Sequence, residues 1–594
     1  MNPGPREEYE ARLRRRLEEA ERAGQHHIAI GNARLVVVIA GVILVWLAVA
    51  RHIVAVWWLG APAAIFAALA IVHARILRRQ ARAKRAVRFY EKGLSRLDGK
   101  WAGEGEDGSR FDDPAHPYAD DLDLFGKGSL FELLSTARLR TGEETLADWL
   151  LRPSSAEVVR ARHSAIEELR PRLALREDMA LLGEDLRSGI QPALLVKWAE
   201  RPLVFRGAGL RITASVLALL AVAAVAVWAV AGVPEFFLGV LVAEYAFALR
   251  LRSRVKQVLE TVGEPAYGLA LFAEVLARIE REPLASPRLR ELRGSLDTAG
   301  LPPSRRIARL NRLMELVDSG EHLLVKRIIG PPLVYHAQLA FAIEAWRARC
   351  GLRVRQWLAA AGEFEALLSL AGYSFEHPDD VFPEFVEPAC FEGEGLAHPF
   401  LPEDRAVRND VRLGDPIRVL VVSGSNMSGK STLLRTTGIN AVLAMAGAPV
   451  RARRLRLSQL RVGASIRTLD SLQGGTSRFY AEIKRIRSII ELAKDDAPLL
   501  FLLDELLQGT NSHDRRIGAE AVIRVMVARG AIGLLTTHDL ALAHIAEVLS
   551  PQAANVHFED HLEGGRITFD YRLRDGTVRK SNALELMRSI GLEV

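Results

Sequence analysis

The sequence predicts transmembrane helical hairpins, an all-α domain and a C-terminal α/β domain with a largely parallel sheet. Three observations support this fold class. Long charge-free runs cover 35–50, 53–72 and 212–233. Apolar residues recur at helix spacing through most of 124–371. After about residue 402, short apolar strands alternate with helices, an order typical of parallel sheets. With 49% hydrophobic and 25% charged residues, the chain has the composition of a protein with several packed cores.

The first two charge-free runs predict a tight membrane hairpin. Leu35 to Ala50 and Ile53 to Val72 are separated only by Arg51 and His52. A helix needs roughly 20 apolar residues to cross a bilayer, and both runs approach or reach that length. A second run that follows at once argues against a cleaved signal peptide.

The flanking charges predict the orientation of this hairpin. Seven basic residues and no acidic residue lie between 75 and 88, and a cluster of four arginines lies at 12–16 in the N-terminal segment, which places both flanks in the cytoplasm. We therefore expect a multi-pass protein of the cell inner (plasma) membrane. The basic residues are Arg12, Arg14, Arg15, Arg16, Arg75, Arg78, Arg79, Arg82, Lys84, Arg85 and Arg88.

A second hydrophobic pair is predicted further along the chain. Ile212 to Val233 is long enough to span, and Phe236 to Leu249 is shorter and contains Glu244, to which the sequence assigns no role. The alternative for the shorter run is a core or re-entrant helix. Two hairpins would keep every soluble segment cytoplasmic.

These patterns divide the chain into seven segments. They are a cytoplasmic N-terminal helix (1–32), a transmembrane hairpin (33–74), a basic juxtamembrane segment with a linker (75–123), the first part of a helical core (124–207), a second hydrophobic hairpin (208–250), the second part of the core with lever helices (251–372), and an ATPase domain (373–594).

The last segment contains a phosphate-binding loop. The motif G-x-x-x-x-G-K-S at 424–431 follows an apolar strand and precedes a helix, so its backbone N–H groups and the helix N-terminus can face phosphates. Lys430 is expected to reach the β- and γ-phosphates of ATP, and Ser431 is expected to bind Mg²⁺. The predicted ATP-binding residues are Gly424, Ser425, Asn426, Met427, Ser428, Gly429, Lys430, Ser431 and Thr432.

Acidic and imidazole side chains follow two later strands. Asp504 and Glu505 end the strand 499–503, so Asp504 is expected to hold Mg²⁺ together with Ser431, and Glu505 to polarise the attacking water. His538 ends the strand 532–536, where it can contact the γ-phosphate. The alternative is that these are ordinary surface side chains.

Several of these motifs resemble the MutS family of DNA mismatch repair ATPases. The shared features are Asn-Met inside the phosphate loop, the Asp-Glu strand with Gly-Thr-Asn-Ser-His-Asp at 509–514, and Thr-Thr-His at 536–538. The segment from 463 to 482 resembles the signature of that family. The resemblance implies that Ser477 contacts the nucleotide of the opposite subunit in trans, and hence a homodimer joined through its ATPase domains.

The resemblance runs from about residue 124 to the C-terminus and is strongest after 398. His398 and 407–410 resemble the segment that lines the adenine side of the family's site. The family's mismatch-reading N-terminal domain has no counterpart in the residues before the core. The resemblance implies an ATP-driven dimeric switch that binds mismatched or branched DNA in repair or recombination, here with a membrane anchor.

Two other functions remain open from the sequence. One is an ATPase similar to ABC-type transporters, which 472–475 faintly resembles, although three or four spans are few for a transporter half. The other is a membrane scaffold with no DNA contact. The net charge of +7 suits nucleic acid or an anionic membrane surface. A basic cluster is expected to be a solvated face or a dimer contact rather than a DNA site: Arg451, Arg453, Arg454, Arg456 and Arg461.

Overall fold

The computed structural model describes residues 4–51, 53–189, 191–205, 207–297, 300–320, 334–467, 478–494, 497–563 and 566–578. The helices are α1 (Pro5–Val49), α2 (Gly60–Leu97), α3 (Leu130–Leu134), α4 (Arg140–Leu151), α5 (Ala156–Leu169), α6 (Leu173–Gly189), α7 (Pro192–Ala199), α8 (Gly209–Ala231), α9 (Glu235–Arg281), α10 (Pro287–Leu296), α11 (Pro303–Gly320), α12 (Tyr335–Glu376), α13 (Lys430–Ala446), α14 (Arg478–Leu492), α15 (Ser512–Ala528) and α16 (Leu540–Val548). The strands are β1 (Glu384–Phe385), β2 (Phe391–Leu396), β3 (Asn409–Leu413), β4 (Val419–Ser423), β5 (Arg454–Leu457), β6 (Arg461–Ser465), β7 (Leu499–Leu503), β8 (Ile532–Thr537), β9 (Ala553–Glu563) and β10 (Arg566–Asp575).

The chain forms two compact units. The first comprises Met1–Leu134, Leu150–Val159 and Gly372–Val594, and the second comprises Ser135–Trp149 and Arg160–Ala371. Each unit is described separately below.

The main sheet of the first unit has the strand order β10-β9-β4-β8-β7-β6. Neighbouring strands in it are parallel, apart from the antiparallel pair β9 and β10. β4, β7 and β8 are buried along their whole length, which explains their uninterrupted apolar sequences. The predicted strands agree with these three to within one residue.

A smaller mixed sheet, β1-β5-β2-β3, lies in the same unit and was not anticipated from the sequence. β2 is antiparallel to both β3 and β5, whereas β1 and β5 are parallel. This sheet fixes the two ends of the segment between β2 and β3, which contains His398 and Val407. The stretch 372–402, whose proline and acidic residues are typical of a domain boundary, therefore contains two strands of this sheet.

The helical hairpin is formed by α1 and α2, which pack antiparallel to one another. α1 runs without a break from Pro5 to Val49, so the predicted N-terminal helix and the first predicted membrane segment form one continuous helix. A short 3-10 helix at Val56–Leu59 lies at the tip. Three side-chain pairs mark the packing between the helices: Tyr9–Tyr90, His27–His73 and Arg34–Phe66.

Three helical stretches of the described residues are long and apolar enough to cross a membrane, judged by length and composition. They are Pro5–Val49, Val56–Leu97 and Gly209–Ala231. The fourth predicted segment forms the start of the 47-residue helix α9 and is not among them. The second hydrophobic pair is thus helical, while its membrane insertion stays a prediction.

The end of the hairpin that carries both basic flanks is joined to the first residues of the ATPase segment. The Glu376 carboxylate is buried and accepts hydrogen bonds from the Tyr9 hydroxyl at 2.9 Å and from Arg96 Nε at 2.8 Å. Charge-assisted bonds of this kind are stronger than neutral ones. Tyr9 on α1 and Arg96 on α2 therefore hold both helices to one carboxylate.

The end of the predicted linker is bonded to the main sheet. The buried Asp121 accepts the backbone N–H groups of Ile466 and Arg467 at 2.7 and 2.8 Å, and it pairs with Arg485 at 2.6 Å. The Ala464 N–H of β6 donates to the Pro117 carbonyl at 2.9 Å. Residues 117–121 are therefore bonded to the end of β6 and the residues after it, and they do not form a free tether.

The second unit is helical, with α6, α7 and α11 packed on α9. Its core contains the carboxylate of Glu365, which accepts the N–H groups of Arg138 and Leu139 at 3.2 and 2.7 Å. Burial raises the pKa of Glu365 to about 7. The proline pair Pro331-Pro332, where the sequence alone predicts a helix break, lies outside the described residues.

The raised pKa of Glu365 predicts a loss of stability as pH increases. The folded state holds this proton up to about pH 7, whereas the unfolded state releases it near the ordinary glutamate value. The free energy of unfolding should therefore fall by roughly 3 kcal/mol from acid to neutral pH through this group. Glu365→Gln, which keeps an acceptor for both N–H groups, should remove that part of the slope. Urea unfolding of both proteins in detergent from pH 4.5 to 8 checks this, and identical slopes would contradict it.

Candidate functional site

The glycine-rich loop connects the central strand β4 to the N-terminus of α13. Its two glycines have positive φ angles, 155° at Gly424 and 106° at Gly429. A Cβ atom at Gly424 would lie 2.8 Å from Ser428 Oγ, and one at Gly429 would lie 3.2 Å from the Tyr571 ring. Glycine is therefore required both by the backbone conformation and by the space available.

Lys430 begins α13, and its side chain crosses the loop. The residue is only 5% exposed, and Nζ donates to the carbonyls of Gly424 at 2.9 Å and Ser425 at 2.8 Å. Burial lowers the pKa of this ammonium group, against the opposing charges of Glu505 and Asp504. The ammonium is thus held by backbone carbonyls at the loop, with Glu505 Oε1 at 3.9 Å.

Two buried hydroxyls in the loop, Ser425 Oγ and Ser428 Oγ, have no hydrogen-bond partner among the described residues. Buried polar atoms are normally paired, and unpaired ones mark places where another group is bound. Met427 has a φ of 71° and is 84% exposed at the tip of the loop. The loop therefore combines orphaned donors, a lysine and a helix N-terminus, which together suit an anion.

A cleft of about 760 Å³ opens in front of the loop. This volume is within the range of small-molecule sites. The predicted residues that line the cleft are Asn426, Met427, Gly429, Lys430, Ser431, Thr432, Asp504 and Glu505. Gly424, Ser425 and Ser428 belong to the same loop.

Asp504 and Glu505 reach the cleft because β7 ends beside β8. Thr536 of β8 donates its hydroxyl to Asp504 Oδ1 and accepts the Glu505 N–H at 3.0 Å. Glu505 Oε1 lies 3.1 Å from Nδ1 of the half-exposed His538. The structure thus brings Lys430, Asp504, Glu505 and His538 close together. Ser477 lies outside the described residues.

The Gly-Thr-Asn-Ser-His-Asp segment at 509–514, whose polar residues alone would predict a turn, is helical from Ser512 onward. Asn511 is the N-cap of α15, and its side-chain oxygen accepts the Asp514 N–H at 2.9 Å. Ser512 and His513 therefore lie in the first turn of α15 rather than in a loop. Asn and Asp at these positions favour a helix start, and this signal was available in the sequence.

The cleft is also lined by His398 and Asn409, which the family resemblance indicated, and by Tyr571, which no motif identified. Tyr571 lies in a bulge of β10, with its ring at the phosphate loop. Asn409 fixes this bulge, because its side chain donates to the Tyr571 carbonyl at 2.9 Å and accepts the Leu573 N–H at 2.8 Å. Burial lowers the pKa of His398 to about 4, so its ring is neutral at physiological pH. Tyr571 lies about 140 residues after the loop, and no local pattern in the sequence marks it.

The basic cluster of 451–461 takes part in ion pairs within the first unit. Arg451 is buried and pairs with Glu403 at 2.7 Å, and Arg456 pairs with Glu392 at 2.8 Å. Arg454 lies 3.5 Å from Glu384. The expectation of a solvated face or dimer contact was therefore wrong for Arg451, whose charge is compensated inside the fold.

The sheet order, the glycine-rich loop before a helix and the acids at the end of β7 are typical of α/β nucleotide-binding domains. Comparison with known proteins identifies the group more narrowly. Residues 420–593 match the family model described as MutS domain V. Over this C-terminal region the chain is similar to proteins of the MutS family.

Individual relatives agree with this assignment. The DNA mismatch repair protein MSH3 of Phaeosphaeria nodorum is 34% identical over 247 residues, which are 40% of this chain and 21% of that protein. The DNA mismatch repair protein MutS 2 of Halobacterium salinarum is 33% identical over 267 residues, 43% of this chain and 29% of that protein. The DNA mismatch repair protein msh3 of Aspergillus fumigatus is 32% identical over 253 residues, 40% and 22% respectively. The chain thus spans less than a third of the length of these curated relatives.

Proposed function

We propose that this protein is a membrane-anchored ATPase of the MutS type that works as an ATP-driven dimeric switch on DNA. The observation that carries the proposal is the convergence of Lys430, Asp504, Glu505 and His538 around the glycine-rich loop. The family assignment of the C-terminal region supports it.

The residues of the cleft fit ATP with Mg²⁺. The orphaned hydroxyls of Ser425 and Ser428 and the buried Lys430 offer donors for phosphate oxygens. Ser431 and Asp504 provide the hydroxyl and carboxylate oxygens that Mg²⁺ prefers. Bound Mg²⁺ would neutralise charge that develops on the transferred phosphoryl group.

The roles in hydrolysis follow from the positions of the side chains. Glu505 would accept the proton of the attacking water, because its carboxylate lies in the cleft opposite the loop. His538, 3.1 Å from Glu505 Oε1, would orient that carboxylate and stand near the γ-phosphate. Lys430 would stabilise the phosphate charge. Tyr571 would cover the loop from the β10 side.

The dimer and DNA parts of the proposal rest on the relatives. Three of them carry the name DNA mismatch repair protein. ATP bound to Lys430 of one subunit and contacted by Ser477 of the partner would close two ATPase domains together, and hydrolysis would release them. The proposed partner of this dimer is mismatched or branched DNA.

The membrane part rests on the hairpin. Its apolar faces are exposed to the surroundings at large side chains such as Val42, Trp46 and Ile65, which are costly to leave in water. The contacts of Tyr9 and Arg96 with Glu376 hold the opposite end of the hairpin to the ATPase segment. A hairpin embedded in the membrane would remove these side chains from water, and the contacts at Glu376 would keep the ATPase domain at the cytoplasmic end of the hairpin.

Substitutions at the site test the ATPase. Glu505→Gln should lower the hydrolysis rate about 100-fold or more while ATP binding persists, because only the proton acceptor is lost. Lys430→Ala should abolish ATP binding. Glu520→Gln is the matched control, because Glu520 forms an exposed ion pair with Arg524 on α15. Phosphate release and nucleotide binding of the full chain in nanodiscs measure these effects, and light scattering should show an ATP-stabilised dimer of the Glu505→Gln protein. Turnover that survives Glu505→Gln would refute the assigned base.

A topology reporter tests the anchor. Alkaline phosphatase fused after Gly60, beside the hairpin tip, should be active because the tip crosses to the oxidising side of the membrane. A fusion after Arg88, in the basic stretch, should be inactive and serves as the control. An inactive Gly60 fusion that is stably expressed would overturn the hairpin topology.

DNA binding separates the switch from a scaffold without DNA contact. The full chain in nanodiscs should bind mismatched or branched DNA, with an affinity that falls steeply as salt rises. Fluorescence anisotropy with and without ATP measures this, and perfectly paired duplex and empty nanodiscs are the controls. Binding that is undetectable at low salt would remove the repair proposal and leave the ATPase and the anchor standing.

A further inference from the structure

The turn that carries Glu505 has an unusual backbone. After β7 ends at Leu503, Glu505 has a φ of 48° and Leu507 a φ of 57°. Residues with a side chain rarely adopt this left-handed region, and the conformation persists only where the surroundings enforce it. Two such residues within three positions therefore require specific support.

Each of these residues is held by a buried side chain from another element. The Glu505 N–H donates to Thr536 Oγ1 at 3.0 Å, and Thr536 lies fully buried in β8. The Leu507 N–H donates to Glu482 Oε1 at 2.5 Å, and Glu482 lies on α14 with only 5% exposure. Thr536 also donates its hydroxyl to Asp504, so one hydroxyl fixes two consecutive residues.

The support determines where the Glu505 carboxylate lies. In the left-handed conformation Oε1 is 3.1 Å from His538 Nδ1 and 3.9 Å from Lys430 Nζ. A return of φ to ordinary negative values would turn the Cα–Cβ bond to a different direction and move the carboxylate from these partners. The geometry of the site therefore depends on both N–H contacts.

We propose that Thr536 and Glu482 are positioning residues that hold the 505–507 turn in its left-handed conformation and so place the Glu505 carboxylate for hydrolysis. This inference rests on the proposed role of Glu505. Glu482 has a further consequence, because α14 begins one residue after Ser477 in the chain. Glu482 on α14, the helix that follows the proposed trans contact, is thus hydrogen-bonded directly to the turn that carries Glu505. Binding of a second copy at Ser477 would therefore affect the conformation of that turn.

Paired substitutions test the two contacts. Thr536→Val and Glu482→Leu remove the acceptors at nearly constant volume, whereas Thr536→Ser and Glu482→Gln retain them. Thr437→Val is the control, because this buried hydroxyl donates only to the Leu433 carbonyl within α13. Single-turnover hydrolysis and fluorescent-nucleotide affinity are measured on the full chain in nanodiscs. We expect hydrolysis to fall about 10- to 100-fold in the two acceptor-less variants with nucleotide affinity unchanged. Both conservative variants and the control should stay near the wild-type rate.

The outcomes distinguish this inference from the proposed function. Wild-type turnover that is lost in Glu505→Gln but retained in both Thr536→Val and Glu482→Leu overturns the positioning role alone. Nucleotide affinity that falls together with the rate, or a Thr536→Ser protein as slow as Thr536→Val, overturns it as well. A wild-type protein without turnover overturns both proposals. If Thr536→Val melts below the assay temperature, Glu482→Leu and Thr536→Ala decide by the same criteria.

Discussion

The candidate site depends on the register of three parallel strands. β4 pairs with β8 so that Ser423 lies opposite Thr537, and β8 pairs with β7 so that Leu535 lies opposite Leu503. Because of this register, the carboxyl ends of all three strands lie on the same side of the sheet. The loop, the two acids and His538 follow directly after these strand ends. A shift by one residue would reverse the faces of a strand that is buried on both sides. The uninterrupted apolar sequences thus do more than fill a core, because their packing fixes which polar residues meet.

The sequence was informative where function follows local order. A buried strand followed by glycines, a lysine and a helix is a contiguous signal, and so are the acids after β7 and the histidine after β8. Together these signals indicated the part of the site that is formed by the phosphate loop, the two acids and His538. Tyr571 and the bulge held by Asn409 come together only through tertiary pairing, and no spacing within a short window announces them. The small sheet was missed for a similar reason, because its strands β1, β2, β3 and β5 are short and separated by long segments.

Segments with loop-like composition show the same limit. Residues 99–117 are rich in glycine, proline and acidic residues, which are depleted in helices and strands. This composition describes the backbone conformation but not the packing. Asp121, just beyond this stretch, is one of the most thoroughly bonded carboxylates of the unit, with two N–H groups and a guanidinium as partners. Composition indicated a turn-rich backbone, in which Ser109–Phe111 forms a short 3-10 helix, and it could not predict that Pro117 and Asp121 are bonded to β6 and the residues after it.

The contact at Glu376 makes the hairpin part of the same folded unit as the site. From Glu376 the chain reaches the Val381–Val450 bridge, and the adjacent Arg451 N–H donates to Asn440 Oδ1 of α13, the helix that begins at Lys430. If the hairpin were removed, the Glu376 carboxylate would lose both Tyr9 and Arg96. Removing the hairpin would also remove the side chains that cover this carboxylate, so it would become exposed to water and lose the contacts that now fix residue 376. An ATPase fragment without the hairpin would therefore differ from the native protein near the base of α13. The proposed nucleotide chemistry therefore belongs to a folded unit that includes the hairpin.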